Sequence, residues 1–153
     1  MAHAELRTPT EPVVLSVSGL VSDTNAESSL GKVADFDMVM LHQLPFHLLT
    51  TSTSWTNGTP VFKGVLLTDL LAKVKAKGRH IRVTALNMYS AEIDIKTIER
   101  YPIILAYEMN GKAMAIRDKG PLWIVYPVSD FPELDQPKYL SRMVWQVKSI
   151  EVF

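Results

Sequence analysis

The chain has 153 residues, of which 47% are hydrophobic and 21% charged. A chain of this length buries roughly 70% of the surface that its unfolded form exposes, so a core can form without disulfides or a structural metal. Its 16 basic and 16 acidic residues cancel, and a formal net charge of zero argues against a general attraction to nucleic acid or anionic lipid. The lack of cysteine excludes thiolate nucleophiles, zinc–thiolate sites, iron–sulfur clusters and disulfides.

The first twelve residues, MAHAELRTPTEP, form a polar lead-in without the charged-then-apolar order of a secretory signal. They are typical of what remains after a signal has been removed. We therefore expect a periplasmic or secreted protein, with a cytoplasmic protein as the alternative. No apolar run reaches the length of a membrane span. We expect residues 13–153 to form a single domain.

The N-terminal part of the chain alternates apolar runs with polar segments. Residues 13–19 (VVLSVSG) are typical of a strand that ends at a glycine, and the polar stretch 21–36 predicts a loop with room for one short strand. Residues 37–43 predict a short helix, which the proline at the next turn ends. A strand over 46–50 then leads into five consecutive hydroxyl side chains at 50–54.

The middle of the chain carries the clearest helical pattern. Apolar residues recur there at helical spacing: Leu67, Leu70, Leu71 and Val74. We expect this helix to be capped by the hydroxyl of Thr68 and ended by Gly78, with its lysines in solvent. Strands are predicted over 80–86 and 91–95, followed by one helical turn in 96–102.

The C-terminal part reads mainly as β-structure. Four strands are expected, at 103–108, 113–116, 122–126 and 143–152. The Asn-Gly pair at 110–111 favours a type I′ hairpin turn between the first two. In the closing strand the apolar residues fall on odd positions up to Val147 and on even positions from Ile150, which indicates a bulge near 148–149. Many short strands and few short helices predict an α+β fold with a mixed or antiparallel sheet.

Spacing alone identifies no catalytic centre. The hydroxyl run lacks the flanking glycines of a nucleophile elbow, and the four histidines show no ligand spacing, so no metal site is expected. A P-loop is also absent. Arg117, Lys119 and Arg142 are candidates to bind an anion with help from hydroxyl or backbone N–H groups, and paired surface charge is the alternative for each.

Four segments together carry a family resemblance. They are VFKGVLLTDLLAKV, TALNMYSAEI, YPIILAYEMNGKAMAIRDKGPLWIVYP and YLSRMVWQVKSIEV. Their order resembles the molybdopterin-binding domain of the sulfite oxidase type, especially its small, stand-alone bacterial members. The resemblance extends from about Val13 to the end of the chain. It implies the sulfite-oxidase-type fold.

In that family a cysteine thiolate ligates molybdenum shortly before a stretch that 62–67 (FKGVLL) matches. Counting back places the expected cysteine near Thr51 or Ser52, inside the hydroxyl run. Trp55 matches a tryptophan that some members carry just after it. The resemblance therefore indicates a member that lacks the molybdenum-ligating cysteine. A neutral hydroxyl has a pKa far above that of a thiol and is a poorer ligand for oxidised molybdenum.

The resemblance also implies a set of cofactor-binding residues. The pterin would lie against the hydroxyl loop, the NMYS segment and the RDKGPLW segment, with cations on its phosphate or on an anionic substrate. The expected residues are Thr51, Ser52, Thr53, Trp55, Asn87, Tyr89, Arg117, Lys119, Gly120 and Arg142. Lys119 stands where sulfite oxidases carry a histidine, and acidic residues follow Pro127 in place of a basic, glycine-rich stretch.

Two functions follow from these observations. One is a non-classical or cofactor-free accessory protein that binds a small anionic ligand, a pterin or a protein partner. The other is a molybdopterin-dependent oxidoreductase with a non-cysteine molybdenum site, which would need a separate electron carrier. The sequence leaves two alternatives for the cofactor: the protein binds molybdopterin, or it binds no cofactor. Neither nucleic acid nor a membrane span is expected.

Overall fold

The computed structural model describes residues 6–153, in which two β-sheets carry short helices. The six-stranded sheet has the order β2-β3-β1-β11-β6-β7, and the five-stranded sheet has the order β10-β8-β5-β4, with β9 paired to β8. The strands are β1 Val13–Gly19, β2 Ala26–Ser28, β3 Gly31–Asp37, β4 His47–Thr50, β5 Val61–Leu66, β6 His80–Ala85, β7 Ser90–Asp94, β8 Ile104–Met109, β9 Lys112–Ala113, β10 Trp123–Val125 and β11 Val147–Val152.

The helices are short and lie between the strands. They are α1 Met38–Gln43, α2 Leu67–Lys73, α3 Ile95–Arg100 and α4 Pro137–Leu140, with a 3-10 turn at Pro132–Leu134. Strands β1 and β11 run parallel, and the other pairs are antiparallel. The predicted α+β class with mixed pairing and few short helices is therefore confirmed. No described helix is both long and apolar enough to cross a bilayer.

The predicted loop over 21–36 is largely wrong. It contains β2 and the seven-residue β3, which pairs with β1 inside the sheet. The segment is polar and therefore looks like a loop in the sequence, but its polar groups are used in hydrogen bonds to neighbouring segments. The Ser16 hydroxyl donates to the Asp35 carboxylate, and the Asn25 amide donates to the carbonyl of Asp35. The predicted helix over 37–43 is confirmed, with Asp37 as its N-cap.

The start and end of the predicted middle helix are also wrong. Residues 61–66 form β5, and α2 follows it directly with Leu66 at the N-cap and no side-chain cap, so Thr68 does not cap the helix. The helix ends at Lys73 instead of continuing to Gly78, because Lys75 takes a positive φ of 52°. The apolar positions do form the buried face as expected.

The predicted hairpin turn after β8 is confirmed, but the second strand of the hairpin is shorter than predicted. Asn110 and Gly111 have φ values of 52° and 81°, as a type I′ turn requires. The second arm stops at Ala113 and does not continue to residue 116 as predicted. The reason is that Trp123 of β10 pairs with Ala106, so β10 occupies the edge of β8 beyond the hairpin. The predicted bulge in the closing strand lies between Val147 and Ser149.

The N-terminal residues that are described pack onto this scaffold. Leu6 belongs to the buried core, and the backbone N–H groups of Thr10 and Glu11 donate to the Asp37 carboxylate at 3.0 and 3.1 Å. Residues 1–5 of the expected lead-in lie outside the described residues. The division into a lead-in over 1–12 and one domain over 13–153 stays a prediction.

Candidate functional site

An aromatic cleft of about 230 Å³ opens at the end of the six-stranded sheet where β6 ends and β11 begins. It is lined by Trp55, Ala85, Asn87, Tyr89, Leu140, Ser141, Met143, Val144 and Trp145. Apolar and aromatic walls with a few polar groups are the usual composition of a small-molecule site. The cleft therefore has the composition of a small-molecule site, with aromatic walls and a few polar groups.

Three tryptophans meet at this cleft. The Trp55 ring lies edge-on to Trp145 and to Trp123, with centroid distances of 5.3 and 6.2 Å. Trp123 is fully buried and donates its indole N–H to the carbonyl oxygen of Met143 at 3.1 Å. The Lys119 ammonium lies 4.4 Å from the centroid of the Trp145 ring. Trp145 thus packs between Trp55 and Lys119, and Trp55 is 38% exposed at the open side of the cleft.

The polar side of the cleft comes from the segment after β6. The Tyr89 hydroxyl donates to the Ser141 carbonyl at 2.6 Å, and the Tyr89 backbone N–H donates to the Asn87 side chain at 3.0 Å. The first bond connects the NMYS segment to the segment after α4, and the second closes a turn within the NMYS segment. Asn87 and Tyr89, both expected from the sequence, therefore lie at the same cleft as Trp55.

The hydroxyl loop is a hydrogen-bonded structure beside Trp55. Thr51 is fully buried, and its hydroxyl donates to the Ser52 carbonyl at 3.0 Å and accepts the Ser129 backbone N–H at 3.0 Å. In return the Ser129 hydroxyl accepts the Ser52 backbone N–H at 2.8 Å. The Thr53 hydroxyl accepts the Trp55 backbone N–H at 3.1 Å. The loop thus positions Trp55.

The expected cations are dispersed. Arg117 is exposed on a turn and forms no ion pair within residues 6–153. Gly120 follows in the same loop, where a Cβ would lie 1.9 Å from the Met114 carbonyl oxygen, so the position needs a glycine for its close backbone approach. Lys119 faces tryptophan rings. The structure does not bring Arg117 and Arg142 together with the hydroxyl loop.

Arg142 is not among the residues that line the cleft. Its guanidinium is 3.5 Å from the Asp94 carboxylate and 5.6 Å from the centroid of the Tyr139 ring. Burial raises the pKa of Asp94, but the Thr97 hydroxyl and the charge of Arg142 outweigh this effect, so the pKa lies below its ordinary value. The Tyr126 hydroxyl is buried and lacks a hydrogen-bond partner among the described residues. Burial raises the pKa of Tyr126, and the nearby charge of Arg142 offsets part of this increase.

Sequence reasoning missed Ser129 as part of this region, and it did not single out Ser141 or Trp145 within their segment as site residues. Ser129 binds the hydroxyl loop from 77 or 78 positions away, a separation that no local pattern encodes. Trp145 alternates with buried strand residues and therefore looks like core in the sequence. Its position beside the hydroxyl loop follows from the contact between the Trp55 and Trp145 rings, which no local pattern encodes.

The sequence model of the oxidoreductase molybdopterin binding domain matches residues 14–150, which is nearly the whole chain. The chain belongs to this family. Among solved structures, the domain is similar to the crystal structure of the sulfane dehydrogenase SoxCD from Paracoccus pantotrophus, with a TM-score of 0.66 and 18% identity. The match covers 91% of this chain and 37% of the dehydrogenase chain, and at this identity it shows the fold alone. No curated protein sequence matches the chain.

The molybdopterin-binding domain described here does not offer the donor set of a thiolate-ligated molybdenum. The chain has no cysteine, and within residues 6–153 no three His, Asp or Glu side chains converge as a metal site. The buried Thr51 hydroxyl already donates one hydrogen bond and accepts another. To ligate a metal as an alkoxide it would have to lose its proton inside the protein, and with it the hydrogen bond to the Ser52 carbonyl. The residues at the loop therefore do not fit an inner-sphere molybdenum ligand.

Proposed function

We propose that this member of the family binds a small planar ligand in the aromatic cleft and performs no thiolate-dependent molybdenum chemistry. The observation that carries the proposal is the cleft itself: Trp55, Trp145 and Tyr89 supply aromatic surface, and Asn87 and Ser141 supply polar groups. Edge-on and stacked aromatic contacts suit a flat heterocycle, and a few polar groups select its orientation. A pterin ring without its metal is the ligand class that the family membership favours.

The first experiment measures pterin binding directly. Calorimetric titration with biopterin is expected to show one site on the purified protein. Trp55→Ala should weaken binding roughly tenfold or more, because stacking of a base-like ring on an aromatic side chain contributes about 1–3 kcal/mol. Phe46→Ala is the matched control, since Phe46 is 60% exposed on a surface away from the cleft lining.

Equal binding by both variants and the unaltered protein would contradict the cleft as the site. Absence of biopterin binding at millimolar concentration would contradict a pterin-sized ligand. Tyr89→Phe provides a milder variant: it keeps the ring and removes the hydrogen bond to the Ser141 carbonyl. We expect it to weaken binding by several-fold through loosening of the polar side of the cleft.

Metal analysis distinguishes the proposed ligand-binding protein from the alternative, an oxidoreductase with a non-cysteine molybdenum site. The protein is produced in a molybdenum-replete host that makes the cofactor, and its metal content and visible absorption are measured. We expect a colourless protein without stoichiometric molybdenum. Molybdenum at one equivalent, with oxygen ligation from the protein seen by X-ray absorption, would favour the oxidoreductase instead.

We also propose that the protein works as an accessory component together with a partner protein. Exposed apolar side chains on and beside the edge strand β4 support this: Phe46 is 60% and Leu48 is 56% exposed. Strand β4 is at the end of its sheet, so its outer edge is open to another chain. A protein that sediments as a monomer both alone and in a cell extract of its source organism would speak against this role.

A further inference from the structure

The open edges of the two sheets differ in their side chains. The six-stranded sheet ends at β2, which carries Glu27, and at β7, which carries Glu92 and Asp94. One end of the five-stranded sheet, β10, is covered, because the Ile124 N–H donates to the Val144 carbonyl at 2.8 Å. The other end is β4, whose sequence HLLT contains no Asp, Glu, Lys or Arg. Charged side chains protect an edge strand from pairing with another chain, and β4 has none of its own.

Strand β4 lies within a long uncharged segment. Residues 38–62 contain no Asp, Glu, Lys or Arg, although these four types make up 21% of the chain. The segment is not wholly core, because its exposed side chains include Phe46 at 60%, Leu48 at 56% and Val61 at 40%. Depletion of charge together with exposed aromatic and aliphatic side chains distinguishes the centre of a protein–protein interface from the rest of a surface. The surface around β4 has this composition.

Five side chains on and beside β4 share one face of the sheet. Leu48 lies opposite Lys63, and Thr50 lies opposite Val61, so the members of each pair point to the same side. The Lys63 ammonium is 4.6 Å from the centroid of the Phe46 ring, which places Phe46 on that side as well. We call these five residues the β4 face. Lys63, which lies on β5, is its one charged member.

The backbone of β4 offers hydrogen-bonding groups beside this face. The Thr51 N–H donates to the Pro60 carbonyl at 3.2 Å, which continues the pairing of β4 with β5. The backbone groups of successive strand residues point to alternate sides, so Leu49 faces β5 while Leu48 and Thr50 direct their N–H and C=O groups to the open side. An added strand would satisfy these groups and cover the exposed side chains at the same time.

We propose that β4 pairs antiparallel with β4 of a second copy of this chain, about a two-fold axis at Leu48. Leu48 then lies opposite Leu48 of the second copy, and Phe46 lies opposite Thr50 and next to Val61. Aromatic and β-branched side chains are favourable neighbours across paired strands. The two five-stranded sheets become one continuous sheet. This inference rests on the proposed binding of a partner protein at β4, and it names that partner.

The charge distribution favours a second copy over a different protein. A charged segment would find no opposite charge in residues 38–62, whereas the chain itself supplies an uncharged edge of the same kind. A formal net charge of zero also means that two copies do not repel each other. The two Lys63 positions are three strand spacings apart, about 14 Å, which exceeds the Debye length of about 8 Å at physiological salt. Their repulsion is therefore largely screened.

The interface is small, and its size sets the expected affinity. A two-fold interface uses the same patch of both copies, here one strand edge and the apolar part of the β4 face. This corresponds to a total buried area below about 1,200 Å², the class of weak and transient interfaces. We expect a dimer that forms at micromolar concentration. Sedimentation velocity between about 1 μM and about 500 μM should show the mass rise from 17.2 kDa towards twice that value.

A matched pair of variants tests the β4 face. Leu48→Lys should weaken dimerisation roughly tenfold or more, because it places a charge on the edge strand and two like charges at the axis. Leu30→Lys is the control, since Leu30 is 73% exposed in the turn between β2 and β3 and the charge changes equally; it should stay within about twofold. Circular dichroism verifies that both variants fold.

Cross-linking tests the two-fold axis without weakening the face by charge. The chain has no cysteine, so a single introduced thiol forms a disulfide only between two copies. Leu48→Cys treated with diamide is expected to give a covalent dimer, because directly opposite Cα atoms lie about 5.5 Å apart, within the range of about 4.4–6.8 Å that a disulfide spans. Leu30→Cys at the same protein concentration is the control and should remain mostly monomeric.

Three results would overturn the second copy as the occupant. The first is a mass of 17.2 kDa that stays constant up to about 500 μM. The second is an equal response of the variants at Leu48 and Leu30, in dimerisation or in cross-linking. The third is a purified protein that stays monomeric but joins a different protein in a cell extract of its source organism, which leaves the proposed partner role standing. Biopterin binding is measured separately, so it can fail while dimerisation succeeds, and the reverse.

Discussion

Two buried polar side chains in this protein perform the same geometric task with different chemistry. Asp37 is fully buried and accepts the backbone N–H groups of Thr10, Glu11 and Met40, the last at 2.8 Å. Thr51 is also fully buried and connects the hydroxyl loop to Ser129. Each therefore ties one loop to a segment distant in sequence.

The difference lies in charge. The Asp37 carboxylate is only an acceptor, and it collects three N–H donors together with the Arg7 guanidinium at 3.4 Å. The Thr51 hydroxyl both donates and accepts, so it closes a small network without any ion. We expect the buried, hydrogen-bonded anion to contribute more stability than the hydroxyl and to make its contribution depend on pH. The contribution of the buried hydroxyl should be smaller and independent of pH.

The largest effect is expected from removing the anion. Asp37→Ala loses the N-cap of α1 and the acceptor for two further N–H groups, so it should lower the free energy of unfolding by about 2–3 kcal/mol. Urea unfolding followed by circular dichroism measures it. Asp118→Ala is the control, because Asp118 is exposed and forms no ion pair within the described chain; it should change stability by under about 0.5 kcal/mol. Equal effects at both positions would remove the contrast between a buried and an exposed carboxylate.

The charge difference predicts a pH dependence specific to Asp37. Burial raises the pKa of this carboxyl, but its backbone hydrogen bonds and the Arg7 charge outweigh burial, so the pKa in the folded protein lies below the ordinary 3.8. The stability from ionisation is therefore complete above the unfolded pKa and is lost as pH falls through the folded pKa. The stability gap between the unaltered protein and Asp37→Asn should be constant from about pH 5 to 7 and shrink below about pH 4.

The same pH series tests the neutral counterpart. A variant at Thr51 should differ from the unaltered protein by a constant amount over the whole range, because the hydroxyl does not titrate there. A gap at Thr51 that shrinks with acid, or a gap at Asp37 that does not, would break the comparison.

An intermediate effect is expected from Thr51→Val, which keeps the volume and removes the hydroxyl. The Ser129 N–H then lacks its acceptor, at a cost of about 1–2 kcal/mol. Thermal unfolding measures it, with Thr59→Val as the control, since Thr59 is exposed and its side chain makes no hydrogen bond within residues 6–153. No loss at Thr51 would mean that water replaces the hydroxyl without cost.

The smallest effect is expected from Ser129→Ala. It removes the acceptor of the Ser52 N–H, but Ser129 is exposed and water can take its place, so the loss should stay near about 0.5–1 kcal/mol. Biopterin affinity should fall slightly as well, because the hydroxyl loop that positions Trp55 loosens. A loss larger than that of Thr51→Val would show that the exposed partner, and not the buried one, organises the loop.

Strong local signals were sufficient for several elements. Strict alternation in β6 and the Asn-Gly pair at 110–111 each depend on neighbours within a few residues, and the structure confirms both. By contrast, the Ser129 partner of the hydroxyl loop and the end of the hairpin at Ala113 depend on segments far along the chain.

The sequence by itself determined the fold class, the short helices and the chemistry that is available, above all the lack of any thiolate. Only the tertiary structure decided that Trp55, Tyr89 and Trp145 form one cleft, that Thr51 is already hydrogen-bonded, and that Arg142 lies elsewhere. The physical reason is that composition and periodicity are properties of neighbouring residues, whereas a site is assembled by strand pairing between distant segments.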